Sequence, residues 1–252
     1  MIPPTLLTAM RAARHIVVFT GAGVSAESGI PTFRDTLTGL WERFDAASLA
    51  TPQAFLQDPE LVWGWYEWRR MKAVQAQPNP AHLAIAALAR HVPKLTVVTQ
   101  NVDDLHERAG SAGVIHLHGS LHKPHCFDCG RQPAKALGMP LEPEGGRRLE
   151  PPRCKHCDGR LRPGVVWFGE SLPSDAMHAA FAAAQNCDVL LSIGTSGVVY
   201  PAAEVPILAW ESGAVVVHIN PHAVAHGEER EYTLAGAAGE QVPALVQQAF
   251  AD

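Results

Sequence analysis

The stretch Val17-Val18-Phe19-Thr20-Gly21-Ala22-Gly23-Val24-Ser25-Ala26 constrains this chain more than any other. An apolar run, Ile16 to Phe19, reads as a buried strand, and it passes through two glycines one residue apart into a short helix. Gly21-x-Gly23-x-x-Ala26 fits the relaxed dinucleotide fingerprint. The first glycine permits a tight turn, the second lets backbone approach a pyrophosphate, and the small Ala26 lets helix and strand pack closely. Amides at the start of such a helix point at a bound anion. Taken alone, the pattern also fits a plain turn.

Further apolar runs end in the same way. Leu95 to Thr99 leads into Gln100-Asn101-Val102-Asp103, Asp188 to Ile193 into Gly194-Thr195-Ser196, and Ala214 to Ile219 into Asn220-Pro221. Helical stretches over Ala81–Arg90, Ser174–Gln185 and Ala203–Glu211 separate them. Strands alternating with helices make a parallel, doubly wound sheet, whose polar strand ends line one crevice. Asn101 and Asp103 offer an amide and a carboxylate there, and Asp103 also suits the cap of a helix reaching Ala109. The run Val114 to Leu117 ends at His118-Gly119. His118 is placed either as a proton acceptor or as an ordinary strand-end residue, and local sequence leaves both open.

No strand ends in Asp or Glu about 20 residues after the glycines, where a ribose-binding acid is expected; Glu42 and Asp45 fall in a helix-like segment. Hydride-transfer chemistry is therefore disfavoured. After the glycine turn, Pro31 stops the helix and a loop carries Phe33 and Arg34, as a flap over a bound nucleotide or as a core anchor beside a solvated arginine.

Residues 46 to 77 read as helical, with starts at Thr51-Pro52 and Asp58-Pro59. Tyr66 and Arg69 are three apart and share a helix face. A phenol beside a guanidinium suits a carboxylate, since arginine presents its donors as a fork; without context, a surface arginine above a half-buried tyrosine is the favoured reading.

Cys126-x-x-Cys129 and Cys154-x-x-Cys157, with 24 residues between, form the least ambiguous module. Each spacing curls the backbone so that two thiolates meet one ion, and two such knuckles complete a tetrahedral zinc site. Four thiolates leave no place for water, which marks the zinc as structural. The intervening segment, with Pro140, Pro143, Gly145 and Gly146, reads as a flexible loop, His125 and His156 as bystanders, and Cys187 as a core residue. Two disulfides are the competing reading, disfavoured without an export signal. Past the module, Val165 to Phe168 reads as a short edge segment able to pair with an extended peptide.

The chain has 252 residues, 47% of them hydrophobic, and a formal net charge of −5. That length holds one large domain with a smaller insertion. The acidity gives no support to a nucleic-acid surface, no apolar run approaches the roughly 20 residues of a membrane helix, and Met1 to His15 reads as an amphipathic helix rather than a signal peptide. The expectation is a cytoplasmic protein with no nucleic-acid or membrane partner; the sequence leaves its oligomeric partner unknown.

In this order the motifs resemble the sirtuins, NAD-dependent protein-lysine deacylases. The residues that carry the match are Gly21-Ala22-Gly23-x-Ser25-x-x-Ser28-Gly29-Ile30-Pro31-x-Phe33-Arg34, Thr99-Gln100-Asn101-x-Asp103-x-Leu105-His106, His118-Gly119, the two cysteine pairs, Val166-Trp167-Phe168-Gly169-Glu170, Gly194-Thr195-Ser196 and Ile219-Asn220. Tyr66-Glu67-Trp68-Arg69 is similar to the pair that binds acidic acyl groups in the short, bacterial-type class containing a desuccinylase. Asp104, where the family often has glycine, and Pro221-His222 after Asn220 depart from the pattern, so the resemblance carries less at the adenosine end.

The resemblance implies a Rossmann-type large domain over residues 1–36, 81–123 and 163–252. The small domain would combine a helical insertion, 37–80, with the zinc-binding module, 124–162. It implies NAD as co-substrate, held by Gly21, Ala22, Gly23, Ser25, Ala26, Phe33, Arg34, Gln100, Asn101, Asp103, Gly194, Thr195, Ser196, Asn220 and Ala238. One structural Zn2+ would sit on Cys126, Cys129, Cys154 and Cys157. Acylated lysines of protein substrates would lie along Val166, Trp167 and Phe168, with Tyr66 and Arg69 at the acyl end. In the family's reaction the acyl oxygen attacks the ribose carbon as nicotinamide leaves. His118 then acts as general base on a ribose hydroxyl, with Asn101 also placed at the chemistry, and the amine and O-acyl-ADP-ribose are released. Two other classes compete: a zinc-containing binding module with an inert glycine turn, and an NAD-dependent ADP-ribosyltransferase.

Overall fold

The computed structural model describes residues 2–30, 45–221 and 229–251. Phe33 and Arg34 lie outside these described residues. The strands are β1 (His15–Thr20), β2 (Lys94–Thr99), β3 (Ile115–His116), β4 (His125–Cys126), β5 (Leu161–Arg162), β6 (Val189–Ile193), β7 (Val215–Asn220) and β8 (Glu231–Ala235). Six form one sheet in the order β3-β2-β1-β6-β7-β8, all neighbours parallel, while β4 and β5 pair antiparallel. That is the order of a Rossmann-type sheet, reversing direction at β1 and β6.

The apolar runs are continuous because both faces of the sheet are covered. Ile16 and Val18 of β1 pack with Leu6 and Met10 of the first helix (Pro4–Ala12), Ile85 and Leu88 of the helix Pro80–Leu88, and Val242 and Leu245 of the last helix (Ala238–Phe250). Val17 and Phe19 turn to the opposite face, against Ala180 and Ala184 of Ser174–Gln185 and Val205 and Ala209 of Glu204–Glu211. Burial of each such large side chain contributes roughly 1.5–3 kcal/mol, which makes β1 the axis of the fold.

A third buried cluster joins the two inserted stretches. Phe55, Val62, Trp63, Trp65, Tyr66 and Trp68 pack with Leu121, Cys126, Cys154, Leu161, Val165 and Trp167. Its long helix, Pro59–Gln75, starts where Asp58 accepts from the Leu61 amide at 3.1 Å, and the helix before it, Pro52–Gln57, where Thr51 accepts from the Ala54 amide. The segment between the cysteine pairs is not the free loop expected of its prolines and glycines. It is a strap on the long helix: Trp68 Nε1 donates to the Glu144 carbonyl at 2.9 Å, Arg70 to that of Gly138 at 2.8 Å, and Arg148 forks onto Asp58. The Leu149 amide donates to the Glu60 carbonyl. Gly64 sits mid-helix because a Cβ there would overlap the Arg147 carbonyl oxygen.

Beyond Asn220 the structure adds β8 and the last helix, which carries Pro243 in its interior and buries Val242, Leu245, Val246 and Ala249.

Candidate active site

The carboxyl ends of β1, β2, β6 and β7 meet as expected, and hydrogen bonds tie them together. The Gly21 and Gly23 amides donate to the carbonyls of Ile193 (3.0 Å) and Gly194 (2.8 Å). Gln100 Nε2 donates to Thr195 Oγ1 at 3.0 Å, and Asn220 Nδ2 to the Thr195 carbonyl at 2.6 Å. The loops after β1 and β6 touch at the point where strand order reverses, where nucleotides bind in such sheets.

Contact between these loops explains the glycines. A Cβ on Gly23 would lie 2.7 Å from the Gly194 Cα, and one on Gly21 2.8 Å from the Gly194 oxygen. Neither glycine has a positive φ, so backbone-to-backbone packing, not turn geometry, requires them. The expectation for Ala26 is overturned in the same region. It is exposed, and the helix Gly23–Ala26 buries Val24 and Ser25 instead, so its small size serves no helix–strand packing. Ala22 is half-buried in the turn. Ala238 begins the last helix and is buried in the core on that side. The next amide, Gly239, donates to Glu27 Oε2 at 2.6 Å and docks that helix onto the glycine loop.

Ser25 links two candidates after β2. Asn101 Nδ2 donates to Ser25 Oγ at 3.0 Å, and Ser25 Oγ donates to Asp103 Oδ2 at 3.1 Å. Asp103 Oδ1 accepts from the Leu105 amide, so Asp103 joins the cluster and also caps the turn. Burial pushes the Asp103 carboxyl up, while the Leu105 amide and Ser25 hydroxyl oppose the shift. Behind it, the Asn101 amide donates to Thr99 Oγ1, which accepts from Thr20 Oγ1, which in turn meets His106 Nε2 at 3.0 Å.

His118 and His116 clamp consecutive carbonyls of this loop: His118 Nδ1 donates to Gln100 at 2.9 Å and His116 Nδ1 to Asn101 at 3.1 Å. A carbonyl only accepts, so Nδ1 of His118 carries the hydrogen and Nε2 keeps its lone pair. Burial lowers the His118 pKa, and the Gln100 carbonyl opposes that. His116 Nε2 meets Glu107 Oε1 at 2.7 Å. Burial lowers the His116 pKa, but the Glu107 partnership outweighs it and the net shift is upward. Glu107 and Asn79 are the residues here without a role in the sequence reading; Asn79 donates to the Val24 carbonyl and to Ser28 Oγ. The Asn79-Pro80 helix start was the available signal.

The Val165–Phe168 segment lies beside His118 but is not a strand. Val165 makes one antiparallel bridge with Gly119, and the chain turns at Phe168. Three of its four amides are already used: Val166 donates to the His118 carbonyl, Phe168 to that of Ala50, and Trp167 to Glu170 Oε2 at 2.8 Å. An added peptide therefore meets carbonyl acceptors here, not a full ladder edge. The Trp167 indole, fully buried, donates Nε1–H to Tyr66 Oη at 3.0 Å. The Arg69 guanidinium lies over the Trp65 and Tyr66 rings at 5.0 and 5.6 Å. Burial pushes the Tyr66 phenol up to about 12 and lowers the Arg69 pKa, a shift opposed by Tyr66, to which Arg69 also hydrogen-bonds, and by the Asp103 carboxylate.

The cysteines gather as their spacing predicts. Their four Sγ atoms lie within 4.8 Å of one another. Cys126–Cys157 and Cys129–Cys154 are 3.5 and 3.8 Å apart, far beyond a disulfide bond and close to the about 3.8 Å expected between thiolates around tetrahedral zinc. The Cys129 amide donates to Cys126 Sγ, and the set fits one structural zinc. Cys187 is buried, with Sγ on the Ala184 carbonyl.

The model of the Sir2 family matches residues 21–201. An NAD-dependent protein deacylase 1 of Pseudomonas aeruginosa is 63% identical over 94% of this chain and 95% of its own. An NAD-dependent protein deacylase of Methylococcus capsulatus is 60% identical over 96% and 95%. Among solved structures, a Sir2 homolog–NAD complex superposes with a TM-score of 0.87 at 45% identity, covering 99% of this chain and 94% of that one. A Sir2 complex with a deacetylated p53 peptide and 3′-O-acetyl ADP ribose does so with a TM-score of 0.83 at 30% identity over 98% of each.

Proposed function

The chain belongs to the Sir2 family and is an NAD-dependent protein deacylase, and from that premise we propose which of its residues carry the reaction and which acyl groups it removes. When bound, NAD supplies an electrophilic ribose carbon and is consumed, the products being nicotinamide, free lysine and O-acyl-ADP-ribose. Gly21, Ala22, Gly23, Ser25 and Ala26 would hold the pyrophosphate, together with Gly194, Thr195 and Ser196. Gln100 and Asn220 would hold the far side, with Ala238 toward the adenosine; Phe33 and Arg34 are further cofactor-binding candidates and lie outside the described residues. Asn101 and Asp103, aligned through Ser25, orient nicotinamide and ribose. His118 Nε2 accepts a proton from a ribose hydroxyl. The observation that carries this assignment is the His118–Gln100 bond, which leaves that nitrogen as the acceptor.

The acyl-lysine enters past Val166, Trp167 and Phe168, its amides donating to carbonyls of that segment. Its acyl end reaches Tyr66 and Arg69, which favour succinyl and malonyl groups over acetyl because Arg69 offers a fork to a carboxylate. Residues 1–36, 81–123 and 163–252 form the cofactor-binding unit, and 37–80 with 124–162 the smaller one. The shared cluster of tryptophans and cysteines supports pairing the two insertions, and it also takes in Val165 and Trp167. Zinc-binding thiolates favour the cytoplasm, and among the described residues no helix is long and apolar enough to cross a membrane. A net charge of −5 speaks against nucleic acid as a partner.

The test is kcat/KM on matched acetyl-, malonyl- and succinyl-peptides, for the wild type and Arg69→Met. A selective loss on the acidic acyl groups supports the assignment, and equal losses on all three make Arg69 structural.

A further inference from the structure

Trp167 is held by contacts on its ring and its backbone that fix the aim of its indole N–H. Arg162 lies over its ring, with the guanidinium carbon 3.5 Å from the centroid, while forking onto Glu170 and donating to the Val165 carbonyl. Glu170 closes the loop by accepting the Trp167 amide. Phe55 packs at 5.4 Å and Phe127 at 6.4 Å from the ring. An indole nitrogen donates and never accepts, so the polarity of the 3.0 Å contact with Tyr66 is fixed: Trp167 gives, Tyr66 Oη receives. The hydroxyl keeps its own proton for another acceptor.

We propose that Trp167 is a specificity-determining residue, which fixes the Tyr66 hydroxyl as a donor toward the acyl pocket and so makes that pocket select a carboxylate. Tyr66 and Arg69 then present donors only. A succinyl or malonyl carboxylate accepts from both. An acetyl methyl accepts from neither and leaves the buried phenolic hydrogen without a partner, a penalty the acidic groups avoid. The phenol stays protonated at neutral pH, as this requires. The role rests on the reading that Tyr66 and Arg69 receive the distal end of the acyl group.

The experiment compares the ratio of desuccinylation to deacetylation, each as kcat/KM, in Arg69→Met, Trp167→Phe, Tyr66→Phe and the Trp167→Phe/Tyr66→Phe double variant. Phenylalanine keeps a ring under Arg162 but removes part of the buried indole along with the N–H, and the Tyr66→Phe background separates the lost hydrogen bond from the lost packing. Arg69→Met tests the underlying reading: an unchanged ratio there means no acidic group binds Arg69, and that reading fails. With Arg69→Met selective, Trp167→Phe is expected to lower the ratio about tenfold, and to lower it no further once Tyr66 is phenylalanine. An unchanged ratio in Trp167→Phe overturns the proposal, and so does an equal fall in both Tyr66 backgrounds, which means that Trp167 acts on packing rather than through the hydroxyl.

Discussion

The Nδ1 of His118 sits 2.9 Å from the carbonyl oxygen of Gln100, the residue that also holds Thr195 across the crevice. One contact thus sets the tautomer of the proposed base and ties it to the loops at the strand ends. Burial lowers the His118 pKa, so kcat/KM should rise with pH through an apparent value below 6.5 and be flat above it. His118→Ala should cost about 10²- to 10⁴-fold and abolish that acid limb. An acid limb that persists unchanged in the variant belongs to another group.

Glu107 and His116 act on the neighbouring carbonyl. Glu107→Gln removes the charge that keeps the His116 pKa raised. With the Glu107 charge gone and His116 held less firmly on the Asn101 carbonyl, KM for NAD should rise severalfold, about 1 kcal/mol for one weakened hydrogen bond, while zinc content stays constant. Steady-state kinetics with varied NAD checks this. Glu107→Asp should recover part of the loss.

Two buried histidines set an acid limit on stability. His82 and His106 stand with ring centres 4.9 Å apart, and burial depresses their pKa values to about 4 and about 3. Folded, they stay neutral where the unfolded chain, with pKa near 6.5, takes up protons. Stability is therefore complete above about pH 6.5 and falls as pH drops toward 4, by roughly 1.4 kcal/mol per pH unit for each histidine. Urea unfolding across that window should show His106→Asn with a slope smaller by one proton.

The strap over the helix Pro59–Gln75 depends on Gly64. Gly64→Ala drives a methyl group into the Arg147 carbonyl and should cost about 1–3 kcal/mol, with faster proteolysis within residues 138–148. Chelating the zinc should free the same strap and dissolve the tryptophan signal of the third cluster in near-ultraviolet circular dichroism. An unchanged spectrum in the metal-free protein would show that the thiols fold without the ion.

How far the sequence carries can be seen element by element. The apolar runs from Ile16, Leu95, Val189 and Val215 announce themselves because helices cover both sheet faces, and the cysteine spacing encodes a local geometry. Contacts between distant segments leave no such period. Gly23 is explained by Gly194, some 170 residues away, and the strap by hydrogen bonds that Trp68 and Arg70 donate to it and Asp58 accepts from it. Neither follows from local composition, which read the strap as free loop. Ala26 shows the converse: it matches the fingerprint, yet no partner requires its size. Tyr66 and Arg69 share a face as their spacing predicts, but only the fold brings Trp167 to the hydroxyl.

The most direct measurement is mass spectrometry of a succinylated peptide incubated with NAD, with nicotinamide counted in the same reaction. The account predicts one acyl group lost from the peptide per nicotinamide released, and its mass recovered on ADP-ribose, with turnover collapsing in His118→Ala. A peptide that gains the mass of ADP-ribose, or loses its acyl group with no nicotinamide formed, would contradict it.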